Sequence, residues 1–136
     1  MNYLLDTNAC IALMSPTANA VQTHFARTFR KGGHFFVPCV VAFELWYGVL
    51  KSASQQENAK RCETFFAGPL EVLPFHDTDA KMAGELRAKL ESAGKPIGAY
   101  DLLIAGQALR HKMTLITANV SEFSRIKGLL WDDWSK

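Results

Sequence analysis

The chain has 136 residues, of which 49% are hydrophobic and 21% charged, a composition that suits one folded domain and excludes disorder. Fifteen Lys and Arg against thirteen Asp and Glu leave a formal charge of +2, too mild to mark a nucleic-acid binder by charge alone. No apolar run approaches the roughly 20 residues that span a bilayer, and three cysteines, Cys10, Cys39 and Cys62, with no Cys-x-x-Cys pair, argue against a disulfide framework or a zinc site.

Met1 to Asp6 meets an acid before any basic residue, so no signal peptide is expected, and reduced thiols fit a cytoplasmic protein. Tyr3-Leu4-Leu5 reads as a buried strand ended by Asp6, after which Thr7 or Asn8 caps a short helix from Ala9 to Met14. Val21, Phe25 and Phe29 recur at the spacing of one helix face between Ala18 and Lys31, and Gly32-Gly33 stops that helix. His34 to Val37 reads as a second strand, with Pro38 opening a helix that carries Val40 to Leu50. Ser54 to Phe66 is a polar-faced helix closed by Gly68-Pro69, and Leu70 to Leu73 is a third strand. Asp77-Thr78-Asp79 starts a helix with Met82, Leu86 and Leu90 on its core face, ended by Gly94. Gly98 to His111 is helical, Met113 to Thr117 is a fourth strand, Asn119 to Glu122 begins a turn or short helix, and Leu129-Leu130-Trp131 reads as a last edge strand. Short apolar strands alternating with helices predict an α/β fold, a single domain over residues 1–136 with a short parallel sheet flanked by helices on both faces. Active sites of such sheets lie beyond the carboxyl ends of the strands.

Three carboxylates stand among apolar neighbours. Asp6 follows Leu4-Leu5, Glu44 lies in Val40-Val41-Ala42-Phe43-Glu44-Leu45-Trp46-Tyr47, and Asp101 lies in Ala99-Tyr100-Asp101-Leu102-Leu103-Ile104. Glu122 follows the fourth strand. Taken singly, each has a bland reading as a cap, a solvated stripe or a surface residue. Together, Asp6 and Glu122 after strands and Glu44 and Asp101 in first helical turns converge on one end of the sheet. Four carboxylates sharing a cleft repel one another and need positive charge. Oxygen-only donors without a Cys or His cluster select a hard cation, Mg²⁺ or Mn²⁺, and the chemistry such a cluster serves is metal-assisted phosphodiester hydrolysis.

Leu5-Asp6-Thr7-Asn8, Phe43-Glu44-Leu45-Trp46-Tyr47-Gly48, Pro96 to Ala105, Thr114 to Asn119 and Glu122-Phe123 through Leu129, in this order and spacing, resemble the PIN-domain ribonucleases and, among them, the VapC toxins of type II toxin–antitoxin systems. The resemblance implies a PIN fold and a toxin that hydrolyses RNA with Mg²⁺ or Mn²⁺. It implies Asp6 and Asp101 as the principal metal ligands, with Glu44 and Glu122 completing a catalytic set of four acids. Thr7, Asn8, Thr117 and Asn119 match the polar residues that position the acids or the attacking water. It further implies a VapB-type antitoxin as partner, a homodimer within the toxin–antitoxin complex, operator DNA contacted only through the antitoxin, and the anticodon stem-loop of initiator tRNA as substrate. Ala99 stands where many relatives carry proline, and Ala118 where the bacterial subgroup often has asparagine.

Other residues carry structural readings. His24, His34, His76 and His111 lack ligand spacing, Phe25 and Phe29 are expected in the core, and Lys81, Arg87 and Lys89 form a solvated face. Trp46-Tyr47 suits an interface. Two rivals have distinct tests. A degenerate PIN-like module that binds RNA or protein would lack metal-dependent cleavage. A phosphatase or receiver-like domain would trap a phosphate mimic, but leaves Glu44 unexplained.

Overall fold

The computed structural model describes residues 1–136. Strand β1 (Asn2–Leu5) leads into α1 (Thr7–Met14) and α2 (Ala20–Arg30), then β2 (His34–Pro38), α3 (Cys39–Lys51) and α4 (Gln55–Phe66). After β3 (Glu71–Leu73) come α5 (Asp77–Ser92) and α6 (Ala99–His111), then β4 (Thr114–Ile116), the single turn α7 (Val120–Phe123) and β5 (Trp131–Asp132). No helix is long and apolar enough to cross a membrane.

All strand pairings are parallel, in the order β3-β2-β1-β4-β5. The apolar runs predict this, because strands covered by helices on both faces must be apolar throughout. Leu4, Leu5, Val37 and Leu115 are fully buried along the central strands. The chain winds outward from β1 through β2 to β3, then crosses back to lay β4 on the other side of β1. That reversal opens a crevice beyond the carboxyl ends of β1 and β4, the place where such sheets bind ligands.

Several expectations change in detail. The cap of α1 is Asp6 rather than Thr7 or Asn8: its carboxylate accepts the Ala9 backbone N–H at 2.8 Å. Phe25 packs against the core, whereas Phe29 near the end of α2 is exposed. Trp46 stacks on Phe66 at 6.1 Å between centroids, leaving Tyr47 exposed. The last edge strand begins at Trp131, two residues beyond the expected start. Glu44 lies in the second turn of α3 rather than the first.

Helices α5 and α6 pack very closely. A methyl added at Gly106 would stand 2.9 Å from the Ala83 Cβ and 3.0 Å from its backbone nitrogen. At the far end of this pair the Asp79 side chain is fully buried, an acid the apolar-neighbour criterion does not mark. It accepts the His76 backbone N–H at 2.8 Å, is hydrogen-bonded by Arg110, and lies 3.6 Å from His111. Burial raises the Asp79 pKa, but the His76 bond and the Arg110 and His111 charges outweigh it, holding the carboxyl below its usual range.

Candidate active site

Each acid owes its place to a different element. Asp6 is the first residue past β1, where its backbone N–H continues the sheet ladder to the Ile116 carbonyl at 3.2 Å. The same residue caps α1 through Oδ1. Thr117 is the first residue past β4, and β1 and β4 pair with Leu5 opposite Ile116. Parallel register therefore sets Asp6 and Thr117 side by side at the mouth of the crevice. Thr117 is 1% exposed, a burial that a hydroxyl tolerates only with partners.

Burial is the main cause raising the Asp6 pKa; hydrogen bonds from Thr117 and the Ala9 N–H oppose it, and the charges of Glu44 and Asp133 add to it. Glu44 comes from α3, which leaves the carboxyl end of β2, and it is half-buried. Thr7 donates its hydroxyl to Glu44 Oε1 at 2.9 Å. Asp101 is the third residue of α6, which runs back toward β4 and so starts at the same end of the sheet. A helix N-terminus favours a carboxylate, yet burial first, then the hydrogen bond and charge of Glu122, then the charges of Asp6 and Glu44 push the Asp101 pKa up to about 7. Glu122, on α7, accepts the Asn119 side-chain amide at 3.2 Å, and the Asn119 backbone N–H donates to Thr117 Oγ1 at 3.0 Å. Thr117 and Asn119 thus link the carboxylates at the two sides of the crevice.

The structure therefore brings together Asp6, Glu44, Asp101 and Glu122, with Thr7, Thr117 and Asn119 bonded to them. Asn8 is not among them: it is exposed and its side chain makes no hydrogen bond. No Lys, Arg or His pairs with any of the four acids; the ion pairs of the chain lie at Glu57, Glu91 and Asp79. No three of the acids are closed to ligating spacing, so the cluster is open rather than a preformed cage. Its donors are all oxygens, its charges are mutually repulsive, and no basic side chain neutralises them. That donor set fits a hard divalent cation.

Asp133 is an acid that the sequence left unmarked. It stands just past β5, which Thr117 draws alongside the site by donating its backbone N–H to the Asp132 carbonyl at 3.0 Å. The only sequence signal is the pair Asp132-Asp133 between two tryptophans. Beside Thr7 and Glu44 opens a largely apolar groove of about 420 Å³ between α1, α3 and α4, lined by Ile11, Met14, Leu45 and Val49.

The sequence matches the PIN domain over residues 3–129. It is 35% identical to "Ribonuclease VapC2" of Rickettsia felis over 136 residues, covering all of both chains. It is 33% identical to "tRNA(fMet)-specific endonuclease VapC" of Shigella flexneri over 135 residues, covering 99% of each. The fold superposes with a TM-score of 0.91 and 34% identity on the structure of VapBC2 from Rickettsia felis bound to a promoter DNA fragment, covering 98% of this chain and 99% of that one.

Proposed function

The chain belongs to the PIN-domain family, within its VapC group, and on that premise we propose that it is a ribonuclease toxin of a type II toxin–antitoxin system, dependent on Mg²⁺ or Mn²⁺. The observation that carries this is the four-acid cluster at the switch point of the sheet, with Asp101 pushed up to about 7 by burial and its acidic neighbours and no basic residue to relieve it.

Asp6 and Asp101 would hold the cation. When bound, such an ion lowers the pKa of water and offsets negative charge on phosphoryl oxygens. The hydrogen bond from Thr117 works against the burial that raises the Asp6 pKa, and the α1 cap fixes Oδ1. Glu44 and Glu122 are each fixed through one oxygen, by Thr7 and Asn119. Glu44, which makes no other side-chain hydrogen bond, is the carboxylate we assign to accept the proton of the attacking water. No histidine stands in the cluster to deprotonate a ribose 2′-hydroxyl, which favours attack by water at phosphorus. The 3′ oxygen of the upstream nucleotide then leaves, giving a 3′-hydroxyl and a 5′-phosphate.

The substrate we assign is initiator tRNA, cut in its anticodon stem-loop; the similarity to the tRNA(fMet)-specific endonuclease VapC of Shigella flexneri supports the choice of tRNA. A VapB-type antitoxin is the partner, supported by the VapBC complex of similar fold and by the apolar groove beside Glu44. Residues 1–136 work as one cytoplasmic domain that pairs with a second copy and meets operator DNA through the antitoxin. Exposed Phe43, Tyr47 and Leu50 on one side of α3, with Tyr100 edge-on to Phe43 at 6.0 Å, supply an apolar face for that pairing. Sequencing RNA ends after brief expression of the chain without any partner tests this directly. New ends in the initiator tRNA anticodon loop are expected, absent with Asp101→Asn. Intact RNA and normal growth would overturn the proposal, and cuts confined to another RNA would overturn the substrate.

A further inference from the structure

Asp101 and Glu122 face each other from segments with little else to join them. Asp101 is delivered by the link Lys95-Pro96-Ile97-Gly98, which leaves α5 through Gly94 in the left-handed region at φ +71°. The link's backbone bonds reach only its flanking helices: Lys95 N–H to the Leu90 carbonyl and Leu102 N–H to the Gly98 carbonyl. Pro96 offers no N–H of its own. One hydrogen bond ties the link to a distant part of the chain: the Arg125 guanidinium donates to the Pro96 carbonyl at 2.9 Å. Arg125 also belongs to the turn that carries Glu122, because its backbone N–H donates to the Glu122 carbonyl at 3.1 Å. Though it lies three residues from an acid of the cluster, Arg125 pairs with no carboxylate.

We infer that Arg125 is a positioning residue that clamps the Asp101 segment to the Glu122 turn and so sets the affinity of the acid cluster for a divalent cation. The inference rests on the cation reading of that cluster. A planar guanidinium on a carbonyl fixes distance and direction together, and its charge strengthens the bond. Outer partners that orient metal-holding groups typically change affinity by about 10- to 100-fold. The sign separates a clamp from a simple charge effect. Deleting a cation beside a divalent ion removes repulsion and should tighten binding, whereas loosening the clamp should weaken it.

The test titrates Mn²⁺ alone into purified wild-type, Arg125→Met and Arg125→Lys proteins by calorimetry, with RNA cleavage followed in parallel. Arg125→Met keeps the apolar stem and loses the donor; about tenfold or greater weakening of Mn²⁺ binding is expected. Arg125→Lys restores one donor and should fall between the two. Arg125 lies exposed on a turn, so both variants are expected to melt near the wild-type temperature. Wild-type affinity in Arg125→Met with a raised KM for RNA would overturn the clamp and make Arg125 a phosphate contact. Tighter Mn²⁺ binding would overturn it in favour of charge alone. A wild-type protein that takes up no Mn²⁺ would instead overturn the cation reading.

Discussion

Thr7 donates its hydroxyl to Glu44 across 2.9 Å, joining the first turn of α1 to the second turn of α3. Residues 37 apart in sequence are thereby fixed beside the carboxyl end of β1. Thr7→Val keeps the shape and removes the donor. RNA cleavage should fall about tenfold, while stability changes by no more than about 1 kcal/mol, and Thr7→Ser should restore most of the rate. Full activity in Thr7→Val would show that Glu44 needs no such support.

The acid cluster makes the cation-free protein sensitive to pH in a definite direction. Asp101 takes up its proton near 7 in the folded state, far above an ordinary aspartate, because of burial and the neighbouring Glu122, Asp6 and Glu44. Between about pH 4 and about pH 7 the folded chain therefore holds a proton that the unfolded chain has released, and stability falls as pH rises through this window. Asp6, raised by burial, acts in the same sense. In EDTA, melting temperature should drop from about pH 5 to about pH 8, and Asp101→Asn should flatten that drop while melting higher than wild type at neutral pH. A wild-type profile that rises over this range would contradict the clustering of the acids.

Gly106 has no room for a side chain. A Cβ there meets Ala83 at 2.9 Å on the methyl and 3.1 Å on Cα, backbone and helix-bound atoms that cannot swing aside. Gly106→Ala should cost about 1 to 3 kcal/mol by overpacking, exceeding any gain in helix propensity. A chemical-denaturation midpoint at or above that of wild type would show that α5 and α6 separate freely.

Arg110 stabilises the fully buried Asp79 at the opposite end of the same helix pair. Arg110→Met leaves that carboxylate with His76 and His111 alone and should destabilise by about 3 kcal/mol, the low end for a broken buried pair because Arg110 is 31% exposed. The Asp79 pKa is lowered in the folded state, so its share of stability is present above about pH 4 and fades as pH falls below it. Urea titrations of both proteins measure this, and equal midpoints would refute it.

Much of this site is legible in the chain because burying an acid among apolar residues is costly enough to be informative. Asp6, Glu44 and Asp101 stand out on that ground, and Glu122 by its place after a strand and by family likeness. The cap of α1 is not legible: Asp6, Thr7 and Asn8 are all good capping residues, and the β1–β4 register decides between them. Phe29 keeps the helical spacing of Val21 and Phe25 but falls on the last turn of α2, beyond the core it would cover. Asp79 reads as an ordinary helix start because its partner Arg110 is 31 residues away. Asp133 and Arg125 depend on pairings of β5 and of the Pro96 link that no local pattern announces.

Four unneutralised acids that direct water, with a divalent cation, onto an RNA phosphodiester must leave a defined pair of ends. End analysis of an initiator tRNA anticodon stem-loop cut by the purified chain tests this most directly. The expected result is 5′-phosphate and 3′-hydroxyl ends, no cleavage in EDTA and recovery on adding Mg²⁺ or Mn²⁺. Ends bearing a 2′,3′-cyclic phosphate, formed equally well in EDTA, would contradict it.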